Sequence, residues 1–256
     1  MDKERQLAAL CSQERNILKV KPAILGGRPF YWIDLNAGCG YNKQFHVPGS
    51  PLVFLDVMFD IPYRAWFIDR DPEATEELKV RLRSYHGIEI CTKDNRDALL
   101  DIASCLPYNP VGGILADPNT WAYRNGKNGN GIPVEELRQF CSRFRRMDLL
   151  MNLNTRVFSM MDGHNRNGHV SRYPDLLPLE DFPSFFNRQY WLISYSHNGH
   201  TGFVRLAGRN MPTGDYAKWG WYHWDSPQGR QIRENVRVRK RERDSGQLGL
   251  FAGALP

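Results

Sequence analysis

The sequence predicts an α/β fold: a mainly parallel sheet with helices on both faces, finished by a terminal antiparallel hairpin. Three observations carry this expectation. Short apolar runs ending in polar residues alternate with amphipathic segments from Phe30 to Leu153, as they do when strands and crossover helices build a parallel sheet. Two later strand-like runs flank Asn198-Gly199, a dipeptide that tolerates the positive φ of a tight hairpin turn. With 256 residues, 41% hydrophobic and 24% charged, the chain can bury one sizeable core, and its composition excludes a disordered, collagenous or disulfide-built protein.

The elements follow in order. Leu7, Leu10, Ile17 and Leu18 share one face among charges, which predicts a helix over residues 1–20. Phe30 to Leu35 is short, apolar and stopped by a glycine-rich turn, the pattern of a buried strand. Leu52 to Met58 is a helix candidate and Ala65 to Ile68 a strand that closes on Asp69. Pro72 to Tyr85 follows as a helix, with proline in its first turn and Glu73, Glu76 and Glu77 near its positive end. Ile88–Cys91, Gly113–Ala116 and Asp148–Leu153 are further strands, separated by helices over Arg96–Leu106 and Val134–Arg145. Tyr190–Tyr195 and Phe203–Leu206 form the hairpin. The expected division is a helical extension over 1–27, one domain over 28–225 and a basic, flexible tail over 226–256.

Composition narrows the setting. The five cysteines are scattered with no Cys-x-x-Cys pair, so they predict reduced thiols and neither a zinc site nor a disulfide framework. No apolar run is long enough to span a bilayer, and the start Met1-Asp2-Lys3-Glu4-Arg5 lacks a signal-peptide core. A cytoplasmic protein with no membrane partner is expected. Of the net charge of +6, most lies between Arg230 and Arg243, where seven basic residues face two acids. Arg237, Arg239, Lys240, Arg241 and Arg243 are therefore candidates for phosphate contact, with a solvated charged helix as the equal alternative.

Three successive strand ends carry polar groups. The first is followed by Asp34-Leu35-Asn36-Ala37-Gly38-Cys39-Gly40, the second by Asp69, the third by Asp94-Asn95. Glycines let backbone approach a ligand, and an acid at the next strand end is placed to meet a ribose hydroxyl. A third glycine of a dinucleotide fingerprint would fall at residue 43, which is Lys43. On these residues the sequence resembles the class I S-adenosylmethionine-dependent methyltransferases, whose Rossmann-like sheet also ends in an antiparallel strand. The resemblance spans about residues 28–210. It implies S-adenosylmethionine as cofactor, with Asp34, Asn36, Ala37, Gly38 and Gly40 around it, Asp69 on its ribose, and Asp94 with Asn95 near its adenine. A narrower likeness is to the bacterial three-Cys-motif partner proteins, through the Asp-Leu-x-Ala-Gly start, Gly49-Ser50-Pro51-Leu52, the Asp-Pro of the fourth strand and Asp148 to Asn152. It implies a second partner protein.

After the fourth strand comes Asp117-Pro118-Asn119-Thr120-Trp121. This is similar to the Asp/Asn-Pro-Pro-aromatic corner of methyltransferases that act on the amino groups of adenine or cytosine. The likeness implies that Asp117 and Pro118 accept hydrogen bonds from the target amine and that Trp121 stacks on an extruded base. Asn119 departs from the second proline and the aromatic comes one position late, so an ordinary polar loop stays an equal alternative. Asp162, His164 and His169 form an irregular cluster better read as a loop than as metal ligands. The aromatic stretch Tyr216 to Trp224 is better read as a lid packed on the sheet than as a stacking platform.

Gln247-Leu248-Gly249-Leu250-Phe251 resembles the bacterial sliding-clamp-binding pentapeptide, with docking back onto the parent domain as the alternative. Together these residues lead to the expectation of a bacterial or phage-derived DNA methyltransferase, adenine N6 favoured, recruited to the sliding clamp. Two alternatives stay open: an inactive binding module of the same fold, and a metal-dependent nuclease using Asp69, Asp94 and Asp117.

Overall fold

A computed structural model describes residues 3–43, 46–117, 122–123, 132–154, 177–197, 202–210, 214 and 216–244, with no side chains described for 122–123, 132–133, 197 or 237–244. Eight strands among these form one sheet: β1 (Phe30–Asp34), β2 (Tyr63–Asp69), β3 (Ile88–Thr92), β4 (Gly112–Ala116), β5 (Met147–Asn154), β6 (Tyr190–His197), β7 (Gly202–Arg209) and β8 (Tyr222–His223). Their spatial order is β8-β6-β7-β5-β4-β1-β2-β3. The pairs β1–β2, β2–β3, β1–β4 and β4–β5 are parallel, whereas β7 runs antiparallel to both β5 and β6. The expected α/β sheet with a terminal antiparallel hairpin is therefore present. Four residues, 198–201, separate the last hairpin pair, His197 and Gly202.

The central strands are buried on both faces, which explains why they carry no polar alternation. Every residue of β1 and β4 is buried. Phe30 and Trp32 of β1 point into one core with Phe54, Leu55 and Met58 of α2 (Ser50–Met58) and Leu78 of α3 (Pro72–Leu82). Tyr31 and Ile33 point into the other, with α4 (Asn95–Cys105) and α5 (Val134–Arg143). Burying each such aromatic or aliphatic side chain contributes roughly 1.5–3 kcal/mol. Helix starts obey local rules. Asp71 and Asp94 cap α3 and α4 by accepting the N–H groups of Glu73 and Arg96. Helix α3 stops at Leu82, short of the expected Tyr85, because the chain turns back through Gly87 at φ 73° into β3.

Both flanking segments make contacts with the sheet domain. In the N-terminal helix α1 (Lys3–Val20), Leu7, Leu10, Cys11 and Leu18 are buried in the core shared with α2. Buried polar contacts also fasten it. Arg209 of β7 donates to Glu14 of α1, to Asp148 of β5 at 2.6 Å and to the Tyr216 hydroxyl at 2.8 Å. Gln6 of α1 donates to Ser194 of β6 and accepts from Arg205 of β7. At the start of the basic segment the chain forms the helix α7 (Pro227–Asp244), following the short α6 (Phe182–Phe185) in chain order. The start of α7 packs on the domain: Val236 is buried in the core that holds Trp191 and Trp224, and Ile232 packs against it. The aromatic stretch behaves as a lid, with Tyr216, Trp221 and Trp224 all buried.

Candidate active site

The strand order reverses direction between β1 and β4, since the chain winds outward through β2 and β3 before returning to β4. Open α/β sheets bind ligands at such a switch point, beyond the carboxyl ends of the strands. Asp34 ends β1, and Asp117 follows β4 directly. The sheet thus brings two residues far apart in sequence to neighbouring strand ends, where folds of this kind form a crevice.

The glycine loop is tied to its neighbours by backbone hydrogen bonds. Ala37 N–H donates to the Ile68 carbonyl at 2.9 Å, and Gly38 N–H donates to Asp69 Oδ2 at 2.9 Å. The other oxygen, Asp69 Oδ1, accepts the Asp71 N–H at 3.0 Å. Gly38 adopts φ 58° and Gly40 φ 73°, a conformation that disfavours other side chains. A Cβ on Gly38 would enter open space, whereas one on Gly40 would lie 2.6 Å from Leu78 Cδ1. The first glycine therefore keeps a surface clear and the second permits close packing. Before α2 begins, the chain inserts a short antiparallel pair, Tyr41–Asn42 with Val47–Pro48, and Gly49 N–H returns to the Gly40 carbonyl at 2.9 Å.

Asp34 is wholly buried, and burial pushes its carboxyl up to about 6, against the opposing pull of the Ser50 hydroxyl, the Asn36 N–H and Lys3. Its Oδ1 accepts Asn36 N–H at 3.1 Å, but its Oδ2 has no hydrogen-bond partner among the described residues. A buried oxygen in this state can be completed by a water or by a ligand donor. Asn36 also reaches across the crevice, where its Oδ1 accepts the Asp117 N–H at 3.1 Å.

Asp117 is the junction of the site. Its Oδ1 accepts Asn152 Nδ2 at 2.6 Å, and its Oδ2 accepts Lys3 Nζ from the first turn of α1. Asn152 lies on β5 with its own Oδ1 buried and unpartnered among the described residues. Burial pulls the Lys3 amine below the usual lysine range, with Asp34 the largest opposing influence and Arg205 adding to the lowering. One cation thus faces two carboxylates from opposite sides of the switch point.

The expected residues divide into three groups. Asp34, Asn36, Ala37, Gly38, Gly40, Asp69 and Asp117 are linked by the contacts above. Asp94 and Asn95 stand at the carboxyl edge but at the start of α4, where the exposed Asp94 carboxylate accepts Arg96 N–H at 2.9 Å and so serves the helix. Pro118, Asn119, Trp121, Asp162, His164, His169 and the pentapeptide Gln247, Leu248, Leu250 and Phe251 lie outside the described residues, as do the side chains of Arg237, Arg239, Lys240, Arg241 and Arg243, whose backbone is helical. Among the described residues no three His, Cys, Asp or Glu side chains gather closely enough to hold a metal ion. No described helix is long and apolar enough to cross a membrane.

Sequence reasoning missed Lys3 entirely and gave Asn152 no role at the site. A polar residue at the end of an apolar strand was the available signal for Asn152. Lys3 offered none, because one lysine in a charged first turn is indistinguishable from its neighbours.

The order of the five parallel strands, with an antiparallel strand inserted beside the fifth, decides between the doubly wound architectures. A dinucleotide-binding sheet would place its sixth strand there, parallel to the rest. The fold is that of the class I methyltransferases. No family model and no curated protein matches the sequence. Among solved structures the chain is similar to protein LPL1258 of Legionella pneumophila, described as family DUF519, with 12% identity, 91% of this chain and 90% of that chain covered, and a TM-score of 0.52. It is also similar to a human methyltransferase 10 domain containing protein, with 10% identity, coverage of 77% and 81%, and a TM-score of 0.42. Fibrillarin in its complex with Nop5p gives 14% identity, coverage of 75% and 80%, and a TM-score of 0.43. At these identities the likeness concerns the fold.

Proposed function

We propose that the protein is an S-adenosylmethionine-dependent methyltransferase acting on an exocyclic amine of a DNA base, adenine N6 favoured. The observation that carries this reading is the buried Asp34 Oδ2, unpartnered among the described residues, at the end of β1 and on the same loop as the open surface over Gly38, at the switch point of the sheet. A ligand with an ammonium group and a ribose fits these residues. Asp34 meets the ammonium, Gly38 leaves room for the backbone to approach, and Asp69 holds the ribose. When bound, the cofactor supplies an electrophilic methyl group.

The chain's own residues do the rest. Asp117 accepts a hydrogen from the target amine, which leaves the nitrogen lone pair directed outward. Asn36 fixes the Asp117 backbone and Asn152 fixes its carboxylate, so the acceptor is held in place before substrate arrives. Pro118 supplies a second acceptor and Trp121 a stacking face. The basic residues of α7 from Arg237 to Arg243 add sequence-independent attraction to phosphate. Gln247, Leu248, Leu250 and Phe251 recruit the sliding clamp, which places the enzyme at newly made DNA.

Incubation with tritiated S-adenosylmethionine and DNA tests this. Label is expected in DNA with the unaltered protein and is lost with Asp117→Ala and with Gly38→Trp. Equal label with either variant refutes the site. Clamp co-elution is expected to disappear when Leu250 and Phe251 become Ala, and unchanged co-elution refutes recruitment.

A second reading, a non-catalytic module of the same fold completed by a partner protein, draws on the contact between Lys3 and Asp117, which fills the acceptor before any substrate enters. Calorimetry separates the two, since a module of this kind has no affinity for the methyl donor.

A further inference from the structure

The side chain of Lys3 is placed where a substrate amine belongs. Its nitrogen is a primary amine, it reaches the crevice from the first turn of α1, and it binds Asp117 Oδ2, the carboxylate assigned above to the acceptor amine. Asp117 is 8% exposed in this pairing and Lys3 32%, so the carboxylate is the more enclosed partner of the contact. The second acid of the crevice, Asp34, also acts on Lys3 through space. One turn after Lys3, Gln6 is anchored on Ser194 and Arg205, and past the middle of α1 Glu14 is anchored on Arg209. The helix therefore presents this amine from a fixed position.

We propose that Lys3 is a modification site of this protein, methylated on Nζ by the chain's own active site. The inference rests on the reading of the crevice as a methyl-transfer site. Nζ first gives a proton to Asp117 Oδ2. Its lone pair then forms a bond to the methyl carbon of S-adenosylmethionine, and the sulfur–methyl bond breaks with its electron pair staying on sulfur. The products are the N-methyl-lysine ammonium, which already carries the positive charge released from sulfur, and S-adenosylhomocysteine, and the proton taken up by Asp117 passes to solvent. Burial assists the first step because it disfavours the charged ammonium. A methyl group on Nζ takes one hydrogen from the set that can bind Asp117 and adds bulk at the contact, so the mark weakens the hold of α1 on the acceptor corner.

The test uses the full chain with no DNA present. After incubation with S-adenosylmethionine carrying a deuterated methyl group, mass spectrometry is expected to find one labelled methyl on the peptide containing Lys3. The label should vanish in Lys3→Arg, which keeps the cation, and in Asp117→Asn. A second readout needs no donor. Lysine-selective NMR of the unloaded protein should find Lys3 titrating below the ordinary lysine range and displaced by Asp117→Asn. An ordinary titration unaffected by that substitution overturns the placement of Lys3. If calorimetry detects donor binding and DNA is methylated while Lys3 stays unlabelled, the inference falls and the proposed function stands. If the donor does not bind, both fall.

Discussion

Gly38 N–H and Asp69 Oδ2 lie 2.9 Å apart, so the glycine loop after β1 and the acid at the end of β2 hold each other in place. The same carboxylate accepts Asp71 N–H. Asp69→Ala removes both acceptors. Hydrogen bonds to a charged group are worth about 1.5–3 kcal/mol, and about 1.4 kcal/mol is tenfold in affinity. Calorimetry should record a loss of tenfold or more in affinity for S-adenosylmethionine, and an unchanged affinity would remove Asp69 from the cofactor site.

Asp34 sets stability against binding. Its carboxyl is raised from 3.8 to about 6 by burial, so between these values the folded state keeps a proton that the unfolded chain has released. Stability therefore falls as pH rises through that interval and is level above it, a cost of about 3 kcal/mol at neutral pH. Asp34→Asn should raise the denaturation midpoint at neutral pH, with the gain fading as pH falls toward about 4. It should also weaken the cationic donor, whose affinity for the unaltered protein is expected to rise as pH passes upward through about 6. A variant that gains no stability at neutral pH contradicts the assignment.

The two glycines of the loop should respond differently to alanine. At Gly38 the added methyl enters open space, and only the cost of φ 58°, about 1–2 kcal/mol, opposes folding. Gly38→Ala should stay folded and lose donor affinity. Gly40→Ala drives a methyl against Leu78 and should lower the melting temperature further. Thermal melts and calorimetry on both variants decide this, and the opposite ranking in stability would falsify it.

Arg209 neutralises two partly buried acids, Glu14 and Asp148, whose carboxyls desolvation pushes upward. Arg209→Met leaves both without their cation and should cost about 3–5 kcal/mol. Stranded carboxylates protonate more readily in acid, so the deficit measured by denaturant unfolding should shrink as pH falls. The triple variant with Glu14→Gln and Asp148→Asn should recover much of the loss at neutral pH. A deficit that is the same at every pH argues against this account.

Much of the fold was legible because its signals are local. The apolar run of β1, the buried Gly112–Ala116 of β4 and the proline-led, acid-rich start of α3 each declare their conformation within a few residues. Gly38, Asp34 and Asp69 could be singled out for the same reason, since each sits beside a strand end. Asp94 carries two signals at once: an acid just after a strand is also the residue a following helix needs as its cap, and the structure contains that cap. The N-terminal helix was visible from Leu7, Leu10 and Leu18, yet its periodicity carried no information about which surface it would cover.

The amino-acid sequence by itself determined the succession of strands and helices, the glycine turn and the acids that follow the strands, because burial patterning, capping and positive φ act over a few bonds. Only the tertiary structure decided that Lys3 meets Asp117 across 114 residues, that Asn152 holds the other oxygen of that carboxylate, and that Asp34 keeps one buried oxygen unpartnered among the described residues. Charge pairing and hydrogen-bond completion depend on distance in space, and that distance is fixed when the sheet orders its strands and α1 closes over them.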